Sequence, residues 1–180
     1  MAEHRVLRMG DADLLKVSAP VSRFDDSLAG LIHDLWDTMA ARGGVGIAAP
    51  QIGVPLRVVV FEVQDSERYP DAPPVPRTVL INPEFTFPDT DIVDGWEGCL
   101  SVPGLRGVVP RYRRIQYAGL DADGRRFERA AEDFHARLVQ HECDHLDGVL
   151  YPQRMRDLRT LGFEEELGLA QKFDDIPAQV

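Results

Sequence analysis

The most chemically informative stretch of the chain is 141–145, which reads H-E-C-D-H and matches the pattern H-E-x-x-H. Residues four apart lie one above the other on an α-helix, so His141 and His145 present two imidazoles to one point. Glu142 lies about 100° round the helix from His141, where it could act as the general base toward a metal-activated water. Cys143 is rotated by about 200° and is excluded as a ligand. The pattern therefore predicts half of a catalytic metal site.

A third protein ligand must come from elsewhere in the chain, and three candidates are available. Tyr151 stands where a metzincin would have its third histidine, but a neutral phenol is a poor substitute for an imidazole. Glutamates 164–166 lie about twenty residues downstream, the spacing of thermolysin-like zinc peptidases. Cys99 lies upstream in a segment that reads E-G-C-L-S. The spacing alone leaves all three open.

Length and composition favour one globular catalytic domain spanning residues 1–180, with 44% hydrophobic residues available for a core. The first residues are charged and lack an apolar leader, and no run of about 18 apolar residues occurs, so we expect a cytoplasmic protein without membrane association. The two cysteines are expected to be reduced thiols.

The charge of the chain argues against nucleic acid as a direct partner. The net charge is −10 and the pI is near 4.9, so the surface should repel phosphate backbones. A local cluster of Arg111, Arg113 and Arg114 is predicted to lie on a solvated strand edge.

The glycine-rich segment 44–53 reads GVGIAAPQIG, and its first six residues match the looser dinucleotide fingerprint G-x-G-x-x-A. That motif requires a strand before it and a helix after it. Here a helical pattern precedes it and Pro50 follows, so dinucleotide binding is rejected. We predict instead a close-packed loop and short strand whose small residues let the backbone approach a ligand, with Gln51 as its polar group.

The order of the predicted elements indicates an α+β fold. An extended N-terminal arm is followed by a helix over 24–42 with an N-cap at 25–27, and Asp133 is predicted to cap the helix that carries H-E-x-x-H. A last helix is predicted from about 154 to 169, before a polar tail. Strands are predicted over 56–63, 79–87, 90–94, 107–110, 114–120 and 125–131. Strands joined by hairpins favour mostly antiparallel sheets wrapped around a central motif helix.

Three segments in a fixed order resemble the motifs of the peptide deformylase family. They read GVGIAAPQ at 44–51, EGCLS at 97–101 and QHECDHL at 140–146, against the family patterns G-φ-G-φ-A-A-x-Q, E-G-C-L-S and Q-H-E-x-D-H-L, where φ is apolar. The N-terminal V-L-R and the D-x-D-G hairpin are also similar, so the resemblance covers about residues 5–155. Three motifs in order are far more specific than any one of them.

The resemblance implies a metal-dependent hydrolase that removes the formyl group from N-formyl-methionyl peptides and nascent chains and releases formate. It implies Cys99, His141 and His145 as the ligands of one divalent ion. That ion would be Fe²⁺ in the cell, while Zn²⁺, Ni²⁺ or Co²⁺ could replace it in preparations. A metal-activated water would be the nucleophile and Glu142 the general acid/base.

Further residues are assigned by the same resemblance. Gln51 and the backbone N–H of Leu100 would bind the oxyanion, and the Gly46 backbone would meet the substrate. The candidate substrate-binding residues are Val45, Gly98, Arg106, Phe134 and Leu138.

The chain departs from the best-known bacterial pattern in three places. Gly95 and Trp96 precede the E-G-C-L-S motif, so we expect the pocket rim and the peptide preference to differ from that pattern. Arg137 stands where some members have an apolar residue. The C-terminal segment is acidic, so the resemblance gives no support for docking on a ribosome through a basic tail.

Two alternatives to a deformylase stay open on the sequence. One is a zinc peptidase that uses Glu165 as its third ligand. The other is a catalytically silent relative that binds a formyl peptide, or holds a metal structurally.

Overall fold

The computed structural model describes residues 3–64 and 72–168. Two α-helices and eight β-strands make up its regular structure in these residues, together with short 3₁₀ segments. The helices are α1 (Asp26–Ala41) and α2 (Asp133–Leu146). The strands are β1 (Gly46–Ala48), β2 (Val58–Val63), β3 (Val75–Thr86), β4 (Ile92–Cys99), β5 (Val102–Tyr112), β6 (Arg114–Leu120), β7 (Arg126–Glu132) and β8 (Gly162–Phe163).

The strands form two antiparallel sheets. Five strands are arranged in the order β1-β2-β3-β6-β7, and three in the order β4-β5-β8. Every pairing between named strands is antiparallel. The predicted α+β class is therefore confirmed.

Strand β2 shows why the two helices lie on opposite faces of the larger sheet. Val58, Val59, Val60 and Phe61 are all fully buried, which requires cover on both faces. Val59 and Phe61 pack in the cluster that contains the apolar residues of α2, whereas Val58 and Val60 pack with those of α1. Helix α2 also contacts β5 of the smaller sheet, so it touches both sheets.

Helix α1 forms as its sequence predicts. The Asp25 side chain accepts hydrogen bonds from the backbone N–H groups of Ser27 and Leu28, at 3.2 and 3.3 Å. The helix ends at Ala41 with Arg42 as its C-cap, and Gly43 follows in a left-handed conformation with φ of 60°.

The prediction that Asp133 caps α2 is wrong. Asp133 is the first residue of the helix, its φ is 49°, and Glu132 occupies the N-cap position without a side-chain hydrogen bond. The Asp133 carboxylate instead accepts a hydrogen bond from Arg113 Nε at 2.9 Å. Its charge is therefore directed to a neighbouring strand end and not to the helix backbone.

The predicted C-terminal helix is also wrong for its described part, 154–168. This stretch contains a 3₁₀ turn at Leu158–Thr160 and strand β8. Pairing with β5 explains the extended backbone, because Phe163 lies opposite Leu105 and Gly162 opposite Arg106. Position 169 and the acidic residues at 174 and 175 lie outside the described residues.

The N-terminal arm is extended apart from a 3₁₀ turn at Ala12–Leu15. Its backbone is held by long-range hydrogen bonds from Leu7 N to Gln51 O and from Met9 N to Ser101 O, both 2.8 Å long. The arm therefore joins the segments that carry two of the three motifs. Within the described ranges, no helix is long and apolar enough to cross a bilayer.

Candidate active site

Three side chains of metal-binding type converge at the centre of the candidate site. Cys99 is the last residue of β4, and His141 and His145 lie one turn apart on α2. One ligand atom from each lies within 4.8 Å of the others, and all three residues are buried. Cys99 Sγ lies 3.3 Å from His145 Nε2. The structure thus brings together the three residues that the resemblance implies as ligands.

The donor set suits a divalent transition metal, since a thiolate and two imidazoles make three corners of a tetrahedral site. Burial alone would raise the pKa of the Cys99 thiol, but the imidazoles of His145 and His141 outweigh it and hold that pKa well below its usual range. The thiolate is the form that binds metal.

Glu97 orients the first histidine. His141 Nδ1 lies 2.8 Å from Glu97 Oε2, so a proton on Nδ1 can be donated to the carboxylate while Nε2 stays available as a ligand. Burial alone would raise the pKa of Glu97, but the charge and hydrogen bonds of Arg111 hold it well below its usual range. The histidine therefore faces a permanent negative charge.

Arg111 is the centre of a buried ion network behind the site. Its Nε and Nη2 donate to the two carboxylate oxygens of Glu97 at 2.8 and 3.0 Å, and its Nη1 donates to Asp144 Oδ2 at 2.6 Å. Arg154 binds the same aspartate at 2.7 Å. Arg137 adds a bond of 2.9 Å to Glu97. The network links α2, β4 and β5 around the site.

The prediction of a solvated arginine cluster is wrong for Arg111, which is 5% exposed, and holds for Arg113 and Arg114, whose side chains are 45% and 41% exposed. One sequence signal could have identified the difference. Glu97 lies two residues before the candidate ligand Cys99 in the E-G-C-L-S motif. A carboxylate buried beside such a site requires a cationic partner, and an arginine is the natural choice.

Glu142 lies against the backbone of Gly46. A Cβ at position 46 would overlap the Glu142 carboxylate, so only glycine leaves room for it. Burial raises the pKa of Glu142 from 4.5 to about 7. Its Oε2 is buried without a hydrogen-bond partner among the described residues. Such a carboxylate is suited to exchanging a proton with a ligand.

Gln51 is held in one orientation by a backbone N–H and a side-chain hydroxyl. Its Oε1 accepts a hydrogen bond of 2.8 Å from Ala48 N, and its Nε2 donates to Ser101 Oγ at 3.1 Å and lies 3.5 Å from Cys99 Sγ. The amide nitrogen therefore faces the cluster of candidate ligands. The sequence did not reveal the role of Ser101 in fixing this amide. Its position as the last residue of the E-G-C-L-S segment was the one available signal.

A pocket opens beside these groups. Its walls include four of the candidate substrate-binding residues, Val45, Gly98, Phe134 and Leu138, together with Trp96 and Arg137. Leu100, in the turn between β4 and β5, also lines it. Arg137 is fixed in this wall, since it donates hydrogen bonds to the carbonyl groups of residues 93, 95 and 109.

Arg106 is not part of this pocket wall. It is 5% exposed, and its stem packs so closely on Gly98 that a Cβ there would lie 2.8 Å from Arg106 Cδ. Its Nε donates to Glu164 Oε1 at 2.9 Å. The residue therefore ties β5 to the segment that follows β8.

The other candidate third ligands lie outside the cluster. Tyr151 stacks on His141 with ring centroids 6.2 Å apart, and burial raises the pKa of its phenol, which stays neutral. Glu165 is exposed, and Cys143 packs in the apolar cluster on the far side of α2. The described geometry thus favours Cys99.

Comparisons with known proteins agree with the geometry. A family model for polypeptide deformylase matches residues 3–160. Peptide deformylase 1 of Bordetella pertussis is 59% identical over 165 residues, which cover 91% of this chain and 94% of that protein.

Solved structures are similar over most of the chain. A ligand-bound class I type b peptide deformylase from Acinetobacter baumannii is 38% identical, with a TM-score of 0.82, and the match covers 86% of this chain and 99% of that one. The structure of the A. baumannii enzyme with Met-Ala-Ser bound is 37% identical with a TM-score of 0.80, and covers 86% of this chain and 100% of that one. With the family model matching most of its length, the chain belongs to the peptide deformylase family.

Proposed function

We propose that this protein is a metal-dependent hydrolase that removes the formyl group from N-formyl-methionyl peptides, through a site built by Cys99, His141, His145, Glu142 and Gln51. The observation that carries the proposal is the convergence of three buried donor atoms within 4.8 Å of one another. They lie next to a buried carboxylate oxygen that lacks a partner among the described residues.

Cys99, His141 and His145 would hold one divalent ion, which polarises the formyl oxygen and acidifies a water molecule when bound. Fe²⁺ is the proposed ion in the cell, and Zn²⁺ suits the same sulfur and nitrogen donors. Glu97 keeps the first imidazole in the required tautomer through its 2.8 Å contact with Nδ1.

Glu142 would move the proton. With a pKa raised to about 7 by burial, its carboxylate can accept a proton from the attacking water near neutral pH. As the C–N bond breaks, it returns that proton to the departing amine nitrogen. The products are formate and a peptide with a free N-terminus.

Gln51 and the backbone N–H of Leu100 would stabilise the charge that develops on the formyl oxygen. The Gln51 amide is preorganised, because Ala48 and Ser101 fix both of its ends. One such donor is typically worth roughly 2.7–4 kcal/mol, or about 100- to 1,000-fold in kcat. The Gly46 backbone would pass close to the substrate.

The pocket beside Glu142 would take the methionine side chain. Val45, Phe134 and Leu138 give it apolar walls, which suit an unbranched thioether. The A. baumannii relative with Met-Ala-Ser bound supports a methionine-first peptide as the ligand class.

The test is formate release from formyl-Met-Ala-Ser by protein purified without oxygen, together with elemental analysis. We expect about one ion per chain and formate equimolar with free peptide. Cys99→Ala should lose both the ion and the activity, whereas Glu165→Ala should keep both. Absence of formate release by protein that contains its full complement of iron would contradict the proposal.

A further inference from the structure

A second cavity opens next to the candidate active site, on the side of the N-terminal arm. We name it the arm cavity, and it is lined by Arg5, Arg8, Arg42, Cys99, Leu100 and Glu164, among others. Its volume of about 620 Å³ is within the range of roughly 300–1,000 Å³ that ligand pockets occupy. Cys99 and Leu100 also line the candidate methionine pocket, so the two spaces adjoin.

The arm that lines this cavity is fixed to the site on both sides of Arg8. Leu7 N donates to Gln51 O and Met9 N donates to Ser101 O, each at 2.8 Å. Arg8 O accepts a hydrogen bond of 2.9 Å from Asp11 N, which closes a turn directly after Arg8. The backbone therefore holds Arg5 and Arg8 at a set position relative to the reacting groups.

The charged groups of the arm cavity are mostly cationic, although the chain carries a net charge of −10. Arg42 pairs with Glu3 at 2.9 Å, and the acidic Glu164 is taken up by Arg106 at 2.9 Å. Arg5 and Arg8 are exposed and form no ion pair with residues 3–64 or 72–168. Two positive charges thus remain uncompensated within the described part of the cavity.

We propose that the arm cavity binds the part of the formyl peptide that follows methionine, and that Arg5 and Arg8 select for acidic side chains there. This inference rests on the proposed function, because it concerns the same substrate. A peptide with methionine in the apolar pocket can continue past Leu100 into the arm cavity, because Cys99 and Leu100 line both spaces. A carboxylate in that space would meet arginine charge that no described group already neutralises.

Arginines also bind the phosphate groups of RNA, so RNA is the alternative ligand of the arm cavity. The peptide is favoured because the arm cavity shares Cys99 and Leu100 with the pocket of the candidate active site, so a substrate in that pocket can extend into it. The overall negative charge of the protein would also repel an extended phosphate backbone.

The experiment compares kcat/KM for three amidated peptides, formyl-Met-Ala-Asp-Ala, formyl-Met-Ala-Asn-Ala and formyl-Met-Ala-Lys-Ala. We expect the wild-type holoenzyme to prefer the Asp peptide over the Asn peptide by about threefold to tenfold, the size expected from two solvent-screened charge pairs. The Lys peptide should be the poorest substrate. At 1 M salt, where the Debye length is about 3 Å, the preference should largely vanish.

Two variants and a matched control assign the preference. Arg5→Gln with Arg8→Gln should bring the Asp/Asn ratio close to one, and Arg5→Glu with Arg8→Glu should reverse the order of the Asp and Lys peptides. Arg125→Gln with Arg126→Gln changes charge equally at two exposed arginines on the β6–β7 hairpin, and should keep the wild-type ratio.

The outcomes separate the inference from the function on which it rests. Failure of the wild-type holoenzyme to release formate from any peptide would contradict the proposed function itself. Normal turnover without an Asp preference overturns the inference alone, and so does an equal loss on all peptides in the arm variants. An effect of the arm variants seen only with ribosome-bound nascent chains would indicate RNA phosphate as the occupant and would also overturn it.

Discussion

Replacing Arg111 by methionine tests the buried ion network that supports the site. The Arg111 side chain is 5% exposed, and its partners Glu97 and Asp144 are 4% and 11% exposed. Methionine keeps much of the length and apolar volume of the stem but removes the guanidinium. Two buried carboxylates then lose the cation that both of them share.

The loss of stability depends on the ion pairs that remain after Arg111 is replaced. Loss of one partner of a buried ion pair costs roughly 3–5 kcal/mol. Arg137 still binds Glu97 and Arg154 still binds Asp144, so we expect the low end, about 3 kcal/mol. At roughly 2–4 °C per kcal/mol for a chain of this length, the Tm should fall by about 6–12 °C.

Thermal unfolding followed by circular dichroism at pH 7.5 measures the fall, with Arg113→Met as the matched control. The Arg113 side chain is 45% exposed and its partner Asp133 is 57% exposed, so that pair should contribute at most about 1 kcal/mol. Its loss should lower the Tm by no more than about 4 °C. If the two variants show the same fall in Tm, the assignment of Arg111 to a buried network is wrong.

Three further variants probe the site and the fold. Glu97→Gln should weaken metal binding by roughly 10- to 100-fold, measured by chelator competition, because His141 loses the charge that orients it; an unchanged affinity would contradict this role. Gly46→Ala should lower kcat by about 100-fold or more, since its Cβ would displace the catalytic carboxylate, whereas Gly30→Ala, whose Cβ meets no atom within 4 Å, should leave kcat unaltered. Burial, and then a neighbouring arginine, lowers the pKa of His135 from 6.5 to about 4, so its stabilising contribution is complete above about pH 6.5 and is lost as the pH falls toward 4. His135→Gln should therefore show a smaller drop in Tm between pH 7 and pH 5 than the wild type, and an equal drop would refute this.

The fold class and two of the three candidate ligands could be predicted because their signals are local. Hairpin signals and alternating strands indicated antiparallel sheets, and the four-residue spacing of His141 and His145 placed two imidazoles on one helix face. Helical periodicity could not identify Cys99 as a ligand, because Cys99 lies at the end of β4 and comes close to α2 only in the folded chain. That residue came from the motif resemblance, and the structure brings it to the same point.

The features that the sequence did not predict depend on distant partners. Arg111 and Arg113 are two positions apart and chemically identical, yet only Arg111 faces Glu97 and Asp144, which lie 14 and 33 residues away. The segment after residue 154 has helical composition, but its residues Gly162 and Phe163 pair with β5 as a short strand. Such long-range pairings override local propensity.

The central claim is that Glu142 moves the proton in a site whose metal is held by other residues. The most direct test is formate release from formyl-Met-Ala-Ser by Glu142→Gln, with the metal content of the same sample measured. We predict about one ion per chain, as in the wild type, and a rate lower by roughly 100- to 10,000-fold. An undiminished rate with the ion retained would contradict the account.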